Sequence, residues 1–281
     1  MKPALSPAAR TRQHAPRHSA AVAGQPAIWP TAGPKPGPAT RPRSLVERTG
    51  SLYSKQLGID LDADDPAENF KWFLAALLFG ARISERGAIR TWREFESAGL
   101  LTPKEIVDAG WDRLVQVLDR GGYARYDYKT ATKLLDICGT LRERYAGDLN
   151  ALHAASSDEA QLEQRLRELG KGIGDVTVNI FLREMRGRWK AAAPLPSSRV
   201  IQAAKALRFV SGRLQAPASV LQALQAAWER DGGTPETFPE FEAALVRIGA
   251  RRKSFALPPG IRSGPPARLG RRKTPEGPGQ V

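Results

Sequence analysis

One segment of the chain reads Leu169-Gly170-Lys171-Gly172-Ile173-Gly174-Asp175-Val176-Thr177-Val178-Asn179. Two of its glycines flank a single apolar residue, and amphipathic helical patterns precede and follow it. Glycine allows a tight turn, which leaves backbone N–H groups uncovered at the start of the helix that begins near Val176. Such amides hold anions, and Ile173 is expected to insert back between the two helices. The segment therefore predicts a hairpin between two helices, with an anion site at its turn.

A glycine-rich turn of this kind also binds dinucleotides, but only where a β-strand precedes it in a βαβ unit. The residues from Leu162 to Leu169 have a helical pattern, so the dinucleotide interpretation fails. What remains is a helix–hairpin–helix, a motif whose amides contact DNA phosphates without reading the base sequence. Because Gly-x-Gly is common in proteins, an ordinary loop between helices is the competing interpretation.

The rest of the folded region is also helical in pattern. Residues 45–249 show helical periodicity almost throughout and no sustained alternation typical of strands. Asp65-Pro66 predicts a helix start with proline at the first position, and Thr102 and Glu105 have the spacing of a capping box. Apolar or small residues recur at three- and four-residue spacing from Tyr128 to Tyr145, which predicts one buried helix face. We therefore expect a single all-α domain of about nine or ten helices.

The net positive charge lies outside that region. The chain has 281 residues and a formal charge of +14, from 43 Lys+Arg and 29 Asp+Glu. Residues 1–44 and 250–281 each carry a net charge of +7, whereas residues 45–249 contain 28 basic and 28 acidic residues. Both flanking segments are rich in proline and poor in aromatic residues, so we predict two disordered basic tails that attract nucleic acid non-specifically. An N-terminal targeting peptide is the less favoured alternative, since the prolines there oppose an amphipathic helix.

Several classes of protein are excluded by composition. The single cysteine, Cys138, excludes a disulfide framework and any iron–sulfur cluster held by thiolates. The three histidines lack metal-ligand spacing, so no cofactor is predicted. A monovalent cation at the hairpin stays open as an alternative. No apolar run reaches the ~18 residues of a membrane span. We expect a monomeric cytoplasmic protein that associates with the nucleoid and has no membrane partner.

Four segments occur in an order that is more specific than the hairpin alone. They are Asn69-Phe70 to Ser84, Gly122-Tyr123 to Lys133, the hairpin at 169–179, and Pro196 to Leu207. In this order they resemble the helix–hairpin–helix base-excision-repair glycosylases, the HhH-GPD superfamily of endonuclease III, over roughly residues 66–210. The resemblance implies a two-lobed helical domain at 45–249, with the hairpin at 169–175, that binds duplex DNA.

The resemblance also implies a chemistry. Enzymes of this superfamily flip a base out of the duplex and cleave its glycosidic bond. The catalytic lysine of the superfamily falls on Val176 and its catalytic aspartate falls on Ser197 or Ser198, so both groups are missing here. Serine is a good helix N-cap, which is the expected role of these serines. A relocated acid stays open as an alternative, with Asp175 and Glu184 as the candidates.

The residues expected to contact DNA lie on the hairpin and around the presumed groove. The hairpin amides are expected to hold phosphates, aided by the eight basic residues of 183–213. Tyr123, Tyr126 and Tyr128 are interleaved with Arg125 and Lys129. This composition is suited to stacking on an unpaired base, although helix packing explains at least one of the tyrosines equally well. Arg82 is a candidate for insertion into the duplex, with an exposed helix-end arginine as the alternative. The predicted DNA-binding residues are Lys171, Gly172, Ile173, Gly174, Arg82, Tyr123, Arg125, Lys129 and Arg199.

The sequence thus favours a DNA-binding protein of the glycosylase superfamily, non-catalytic or weakly active, that recognises damaged or distorted duplex DNA. The first alternative is an active monofunctional DNA glycosylase, a base-excision-repair hydrolase with a relocated acid. The second alternative is a protein-interaction module whose DNA affinity comes only from the tails.

Overall fold

The protein is α-helical throughout the part described by the structure, a computed structural model that describes residues 41–123 and 126–252. Within these ranges the chain forms twelve α-helices and one short 3₁₀ turn, and it has no β-strand. The helices are α1 (Pro42–Thr49), α2 (Tyr53–Leu57), α3 (Pro66–Phe79), α4 (Glu85–Ala98), α5 (Pro103–Gly121), α6 (Asp127–Tyr145), α7 (Leu149–Ala154), α8 (Glu159–Glu168), α9 (Asp175–Met185), α10 (Ser198–Ala206), α11 (Pro217–Arg230) and α12 (Phe238–Arg252). None of these helices is long and apolar enough, over the residues described, to cross a membrane. The all-α class predicted from the sequence is confirmed.

Capping residues set two helix starts in the way that the sequence predicts. The Asp65 side chain accepts a hydrogen bond from the Ala67 amide, and Pro66 is the first residue of α3. At α5 the Thr102 side chain accepts from the Glu105 amide, while the Glu105 carboxylate accepts from the Thr102 amide. This reciprocal pair is a complete capping box, and it satisfies two amides that the helix itself leaves unpaired.

Two groups of buried side chains hold the helices together. The larger group surrounds α3, in which every residue from Trp72 to Leu78 is buried. The smaller group is formed by α1, α10, α11 and α12, and in it the Phe241 ring stacks on Trp228 with the ring centroids 5.6 Å apart. A helix that is apolar on all sides must be covered on all sides, so α3 is the centre of the larger group.

The first and last helices extend past the predicted domain boundaries. Helix α1 begins at Pro42, before the boundary predicted at 45, and it packs against α12. Proline in the first turn of a helix removes no hydrogen bond, because the amide at that position has no intrahelical partner. Helix α12 continues past 249 to Arg252. The other residues of the predicted tails, 1–40 and 253–281, lie outside the described residues.

The contact between α3 and α9 leaves no room for a side chain at Gly80. A Cβ at this position would lie 2.2 Å from Thr177 Oγ1 and 3.1 Å from the Ala76 carbonyl oxygen. We expect Gly80→Ala to lower the free energy of unfolding by about 1–3 kcal/mol, because the two helices must separate. Gly139→Ala, inside α6 with nothing within 4 Å of the new methyl group, is expected to raise the free energy of unfolding by about 0.5–1 kcal/mol. Urea denaturation of both variants measures the difference, and equal values would contradict the close packing of α3 on α9.

Candidate nucleic-acid interface

The hairpin predicted at 169–175 joins α8 to α9. Helix α8 ends at Glu168, and α9 begins at Asp175. Gly172 has a φ of +91°, a conformation that residues with a side chain rarely adopt, and this conformation lets the chain reverse direction within the turn. The Ile173 side chain is buried in the larger hydrophobic group, so its predicted insertion is confirmed. The turn is therefore anchored by one apolar side chain and exposes the residues on either side of it.

No side chain of the described residues caps the N-terminus of α9. Gly174 is the N-cap residue, and it has no side chain that could accept from the first turn. The first amides of a helix have no acceptor within the helix, and they carry the positive end of its dipole. The start of α9 therefore presents backbone donors in the arrangement that favours an anion.

A lysine that sequence reasoning missed completes the hairpin from α6. Lys133 Nζ donates a hydrogen bond of 2.8 Å to the Gly172 carbonyl oxygen. Partial burial lowers the pKa of Lys133, because the charged ammonium group loses hydration there. Lys133 is the last residue of one of the segments that resemble the superfamily. Nothing in the sequence indicates that its partner is Gly172, 39 residues away. The hairpin thus has a cationic group of the protein bound to its backbone.

The Asp175 carboxylate pairs with an arginine at the end of α8. Its carboxylate lies 3.1 Å from the guanidinium group of Arg167, which also pairs with Glu163 at 2.7 Å. These contacts raise the pKa of Arg167, the hydrogen bond to Glu163 contributing most. The Asp175 side chain is 90% exposed. A negative charge at this position would oppose a phosphate. Arg167 reduces that repulsion, but Arg167, Glu163 and Asp175 together keep a net charge of −1.

The positions that correspond to the superfamily's catalytic groups carry no acid or amine. Val176, at the lysine position, lies in the first turn of α9 and is 64% exposed. Ser197, at one of the two possible aspartate positions, caps α10 by accepting a hydrogen bond of 3.4 Å from the Val200 amide. Ser198 is the first residue of α10 and is exposed. The predicted N-cap role is confirmed for Ser197.

Glu184 is buried, and its carboxylate has a structural role. The residue is 0% exposed, and its two oxygens accept hydrogen bonds of 2.9 Å from the amides of Tyr53 and Ser54, where α2 begins. The guanidinium group of Arg183 lies 3.8 Å from the same carboxylate. A carboxylate so enclosed does not meet a sugar of bound DNA, so the suggestion that Glu184 is a relocated catalytic acid is corrected.

Tyr123, predicted at the DNA surface, is instead a core residue. Its side chain is buried, and its hydroxyl donates a hydrogen bond of 2.9 Å to the Leu78 carbonyl oxygen. Burial raises the pKa of Tyr123 well above its usual value. A ring enclosed in this way cannot stack on a base, so the prediction for Tyr123 is wrong and the packing alternative is correct.

Three of the other predicted contact residues outside the hairpin lie in the described part of the chain, and all three are on the surface. Arg82 lies in the exposed loop between α3 and α4, Lys129 is exposed on α6, and Arg199 is exposed in the first turn of α10. In the hairpin, Lys171 is exposed. Arg125 lies outside the described residues. The structure thus shows no single pocket that gathers all of these predicted residues among those it describes.

The basic segment 183–213 is not one continuous surface. Arg183 and Arg186 are buried, and Arg186 forms an ion pair of 3.0 Å with Glu242 on α12. Arg188 donates to the Leu61 carbonyl oxygen and pairs with Asp62. These three arginines connect helices and do not face an external phosphate. The prediction that all eight basic residues of 183–213 form one DNA-binding surface is therefore wrong. The basic residues of this segment that are exposed are Lys190, Arg199, Arg208 and Arg213.

A scan against protein-family models finds no match for the chain, and neither does a search of curated protein sequences. The geometry of the hairpin is consequently the main basis for a functional interpretation. No group of three or more His, Cys, Asp or Glu side chains suited to hold a metal ion occurs among the residues that the structure describes.

Proposed function

We propose that the protein binds the phosphate backbone of duplex DNA through the hairpin at 169–175 and prefers damaged or distorted duplexes. In this proposal the helical domain is a two-lobed relative of the HhH-GPD glycosylases in which base excision has been lost or is weak. The basic segments at either end of the chain add non-specific attraction to DNA, and the protein acts at the nucleoid.

The set of donors at the hairpin carries the proposal. The first amides of α9 lack a side-chain cap, Lys133 brings an ammonium group to the Gly172 carbonyl, and Lys171 is exposed in the turn itself. Backbone amides and cationic side chains around one turn suit a phosphate oxygen, and they contain no information on base sequence. Arg167 reduces the repulsion that Asp175 exerts on a phosphate, and the exposed Lys171 adds a further positive charge in the turn.

The preference for distorted DNA follows from the kind of contact. A protein that holds the backbone without reading bases gains most from DNA that deforms easily, because the cost of bending or unstacking is then lower. Arg82, exposed between α3 and α4, is available to occupy a gap in such a duplex.

The state of the two acid candidates favours a non-catalytic role over an active glycosylase. Glu184 is enclosed by the start of α2, and Asp175 is 90% exposed. A catalytic carboxylate must be held in place against the sugar that it acts on, whereas the exposed Asp175 side chain is held by Arg167 alone among the described contacts. The exposed Val176 provides no amine for attack on a sugar.

The proposal is tested by incubating the protein with duplexes that contain uracil, an oxidised purine, an alkylated purine or an abasic site. We expect measurable binding to all four, tightest for the abasic duplex, and no strand cleavage after alkali treatment above the control without protein. Alkali-dependent cleavage that Asp175→Asn abolishes would contradict the non-catalytic role and support the active glycosylase.

A further inference from the structure

Two exposed aromatic rings form a stacked pair on the surface. Trp111 is 39% exposed and Tyr128 is 61% exposed, and their ring centroids lie 5.2 Å apart with an angle of 27° between the planes. We call this pair the aromatic platform. Large apolar rings are usually buried, so a stacked pair left in solvent points to a surface that recognises a partner.

The platform is held in position by the backbone and by two hydrogen bonds. Gly110, with a φ of +72° and a ψ of 176°, interrupts α5 immediately before Trp111. The indole Nε1 of Trp111 donates to Thr132 Oγ1 at 3.1 Å, and Thr132 Oγ1 donates in turn to the Tyr128 carbonyl oxygen at 3.0 Å. Rings that are already fixed lose little conformational entropy when they bind a ligand.

The chemistry of the platform favours a flat heterocycle. The one polar donor of the indole is occupied by Thr132, so what remains for a ligand is aromatic surface. Trp111 covers one face of Tyr128, and the high exposure of Tyr128 leaves the other side of the phenol ring to solvent. A nucleobase stacks on such a face whatever its identity.

Two cationic side chains of α6 lie near the platform in sequence, and one of them reaches the hairpin. Lys129 follows Tyr128 directly and is exposed, and Lys133 lies one turn further along, bonded to Gly172. Lys129 and Lys133 are four residues apart and share one face of α6, whereas Tyr128 and Thr132 share the adjacent face, about 100° around the helix axis. The acidic residues next to the platform in sequence are Asp112, which is exposed, and Asp127, whose carboxylate accepts from the Tyr128 amide at 2.8 Å.

We propose that the aromatic platform binds one unpaired nucleobase of a DNA strand, which stacks on the outer face of Tyr128 while Lys129 contacts the adjacent phosphate. This inference deepens the proposed function and rests on it, since it gives the protein a means to prefer DNA with an unpaired base. Tyr128 is a binding residue in this proposal, and Thr132 is a positioning residue that holds Trp111.

The test measures binding of the full chain to three fluorescein-labelled oligonucleotides by anisotropy: a thymidine single strand, a fully paired duplex, and the same duplex with a three-base bulge. We expect Tyr128→Ala to weaken binding to the single strand and to the bulged duplex by about 5- to 100-fold, and to change binding to the paired duplex less than about twofold. Tyr128→Phe, which retains the ring, is expected to bind like the unaltered protein. Thermal melting establishes that the variants are folded.

Thr132→Val provides a second readout with a matched control on the same helix. Thr140 makes the same kind of hydrogen bond to the carbonyl four residues earlier, at 2.9 Å to Asp136, and no tryptophan hydrogen bond to it is present in the described residues. We expect Thr132→Val to weaken binding to the single strand several-fold and Thr140→Val to leave it unchanged.

Three outcomes overturn the inference. The first is single-strand binding that Tyr128→Ala leaves unchanged, and the second is an equal loss on the paired duplex. The third is an unaltered protein that binds none of the unpaired bases better than the paired duplex, which would indicate a protein partner for the platform. Failure of the proposed function can be told apart from failure of this inference. If the hairpin does not hold phosphates, the unaltered protein binds the paired duplex weakly or not at all, whereas the platform is tested by the effect of Tyr128→Ala on the single strand and the bulged duplex.

Discussion

Glu184→Gln is expected to lower the free energy of unfolding by about 3 kcal/mol or more. The Glu184 carboxylate accepts from the Tyr53 and Ser54 amides, and it faces Arg183 at 3.8 Å. Arg247 is buried in the same region, 4.0 Å from the centroid of the Tyr53 ring, and burial lowers its pKa. Glutamine preserves the volume of the side chain but removes the negative charge that faces the buried Arg183. It also places an NH₂ group, which is a donor, against one of the two backbone amides that now donate to the carboxylate. Urea denaturation measures the loss.

Asp175→Asn is the matched control for this substitution, since it makes the same chemical change at the other acid candidate. Asp175 is 90% exposed, so we expect its free energy of unfolding to stay within about 0.5 kcal/mol of the original value. A Glu184→Gln variant as stable as the unaltered protein would contradict the structural role of Glu184. If that stable variant had also lost a strand-cleavage activity, Glu184 would be catalytic.

Gly172→Val is expected to weaken binding to duplex DNA by about tenfold or more. The reason is that one charge-assisted contact to a phosphate contributes about 1.5–3 kcal/mol to the free energy of binding. The φ of +91° at Gly172 is strained for a β-branched residue. A Cβ there would also lie 3.5 Å from Lys133 Cδ and 3.7 Å from its Nζ, so further side-chain atoms displace the lysine. The turn then no longer presents its donors to one phosphate. Anisotropy with a paired duplex measures the affinity.

Gly99→Val separates a loss of binding from a loss of stability. Gly99 follows α4 with a φ of +67°, and a Cβ at this position would have nothing within 4 Å, so valine there introduces comparable backbone strain away from the hairpin. We expect the two variants to lose similar free energy of unfolding, of order 1–3 kcal/mol, and only Gly172→Val to lose DNA affinity. Equal losses of affinity would mean that general destabilisation, and not the hairpin, controls binding.

Local signals in the sequence predicted much of the fold. Asp65-Pro66 and the Thr102–Glu105 box set helix starts through hydrogen bonds within four residues, and such contacts can be read directly from spacing. The burial of Ile173 was predictable for a similar reason, because it is the one apolar residue between two turn glycines. The start of the folded region was predicted three residues too late, at 45. Helix α1 begins at Pro42 because it packs on α12, more than 180 residues later in the sequence, and such a contact has no local signal.

The candidate site was harder to predict because its contacts join distant segments. Arg186 looks like a surface residue in a basic stretch, but Glu242 on another helix buries it as an ion pair. Tyr123 and Tyr128 have similar neighbours in sequence, but Tyr123 packs into the larger hydrophobic group and donates to the Leu78 carbonyl, whereas Tyr128 is exposed. The position of Trp111 beside Tyr128 was not predictable from sequence, because it joins two helices and depends on the break at Gly110.

The salt dependence of duplex binding tests most directly whether the hairpin holds DNA phosphates. Each phosphate contact contributes about −0.9 to the slope of the logarithm of the binding constant against the logarithm of salt concentration. Because the basic ends of the chain are identical in all variants, the difference between Gly172→Val and Gly99→Val isolates the hairpin. We predict a slope shallower by about one or more for Gly172→Val and an unaltered slope for Gly99→Val. The same slope in both variants would contradict the hairpin as a phosphate site.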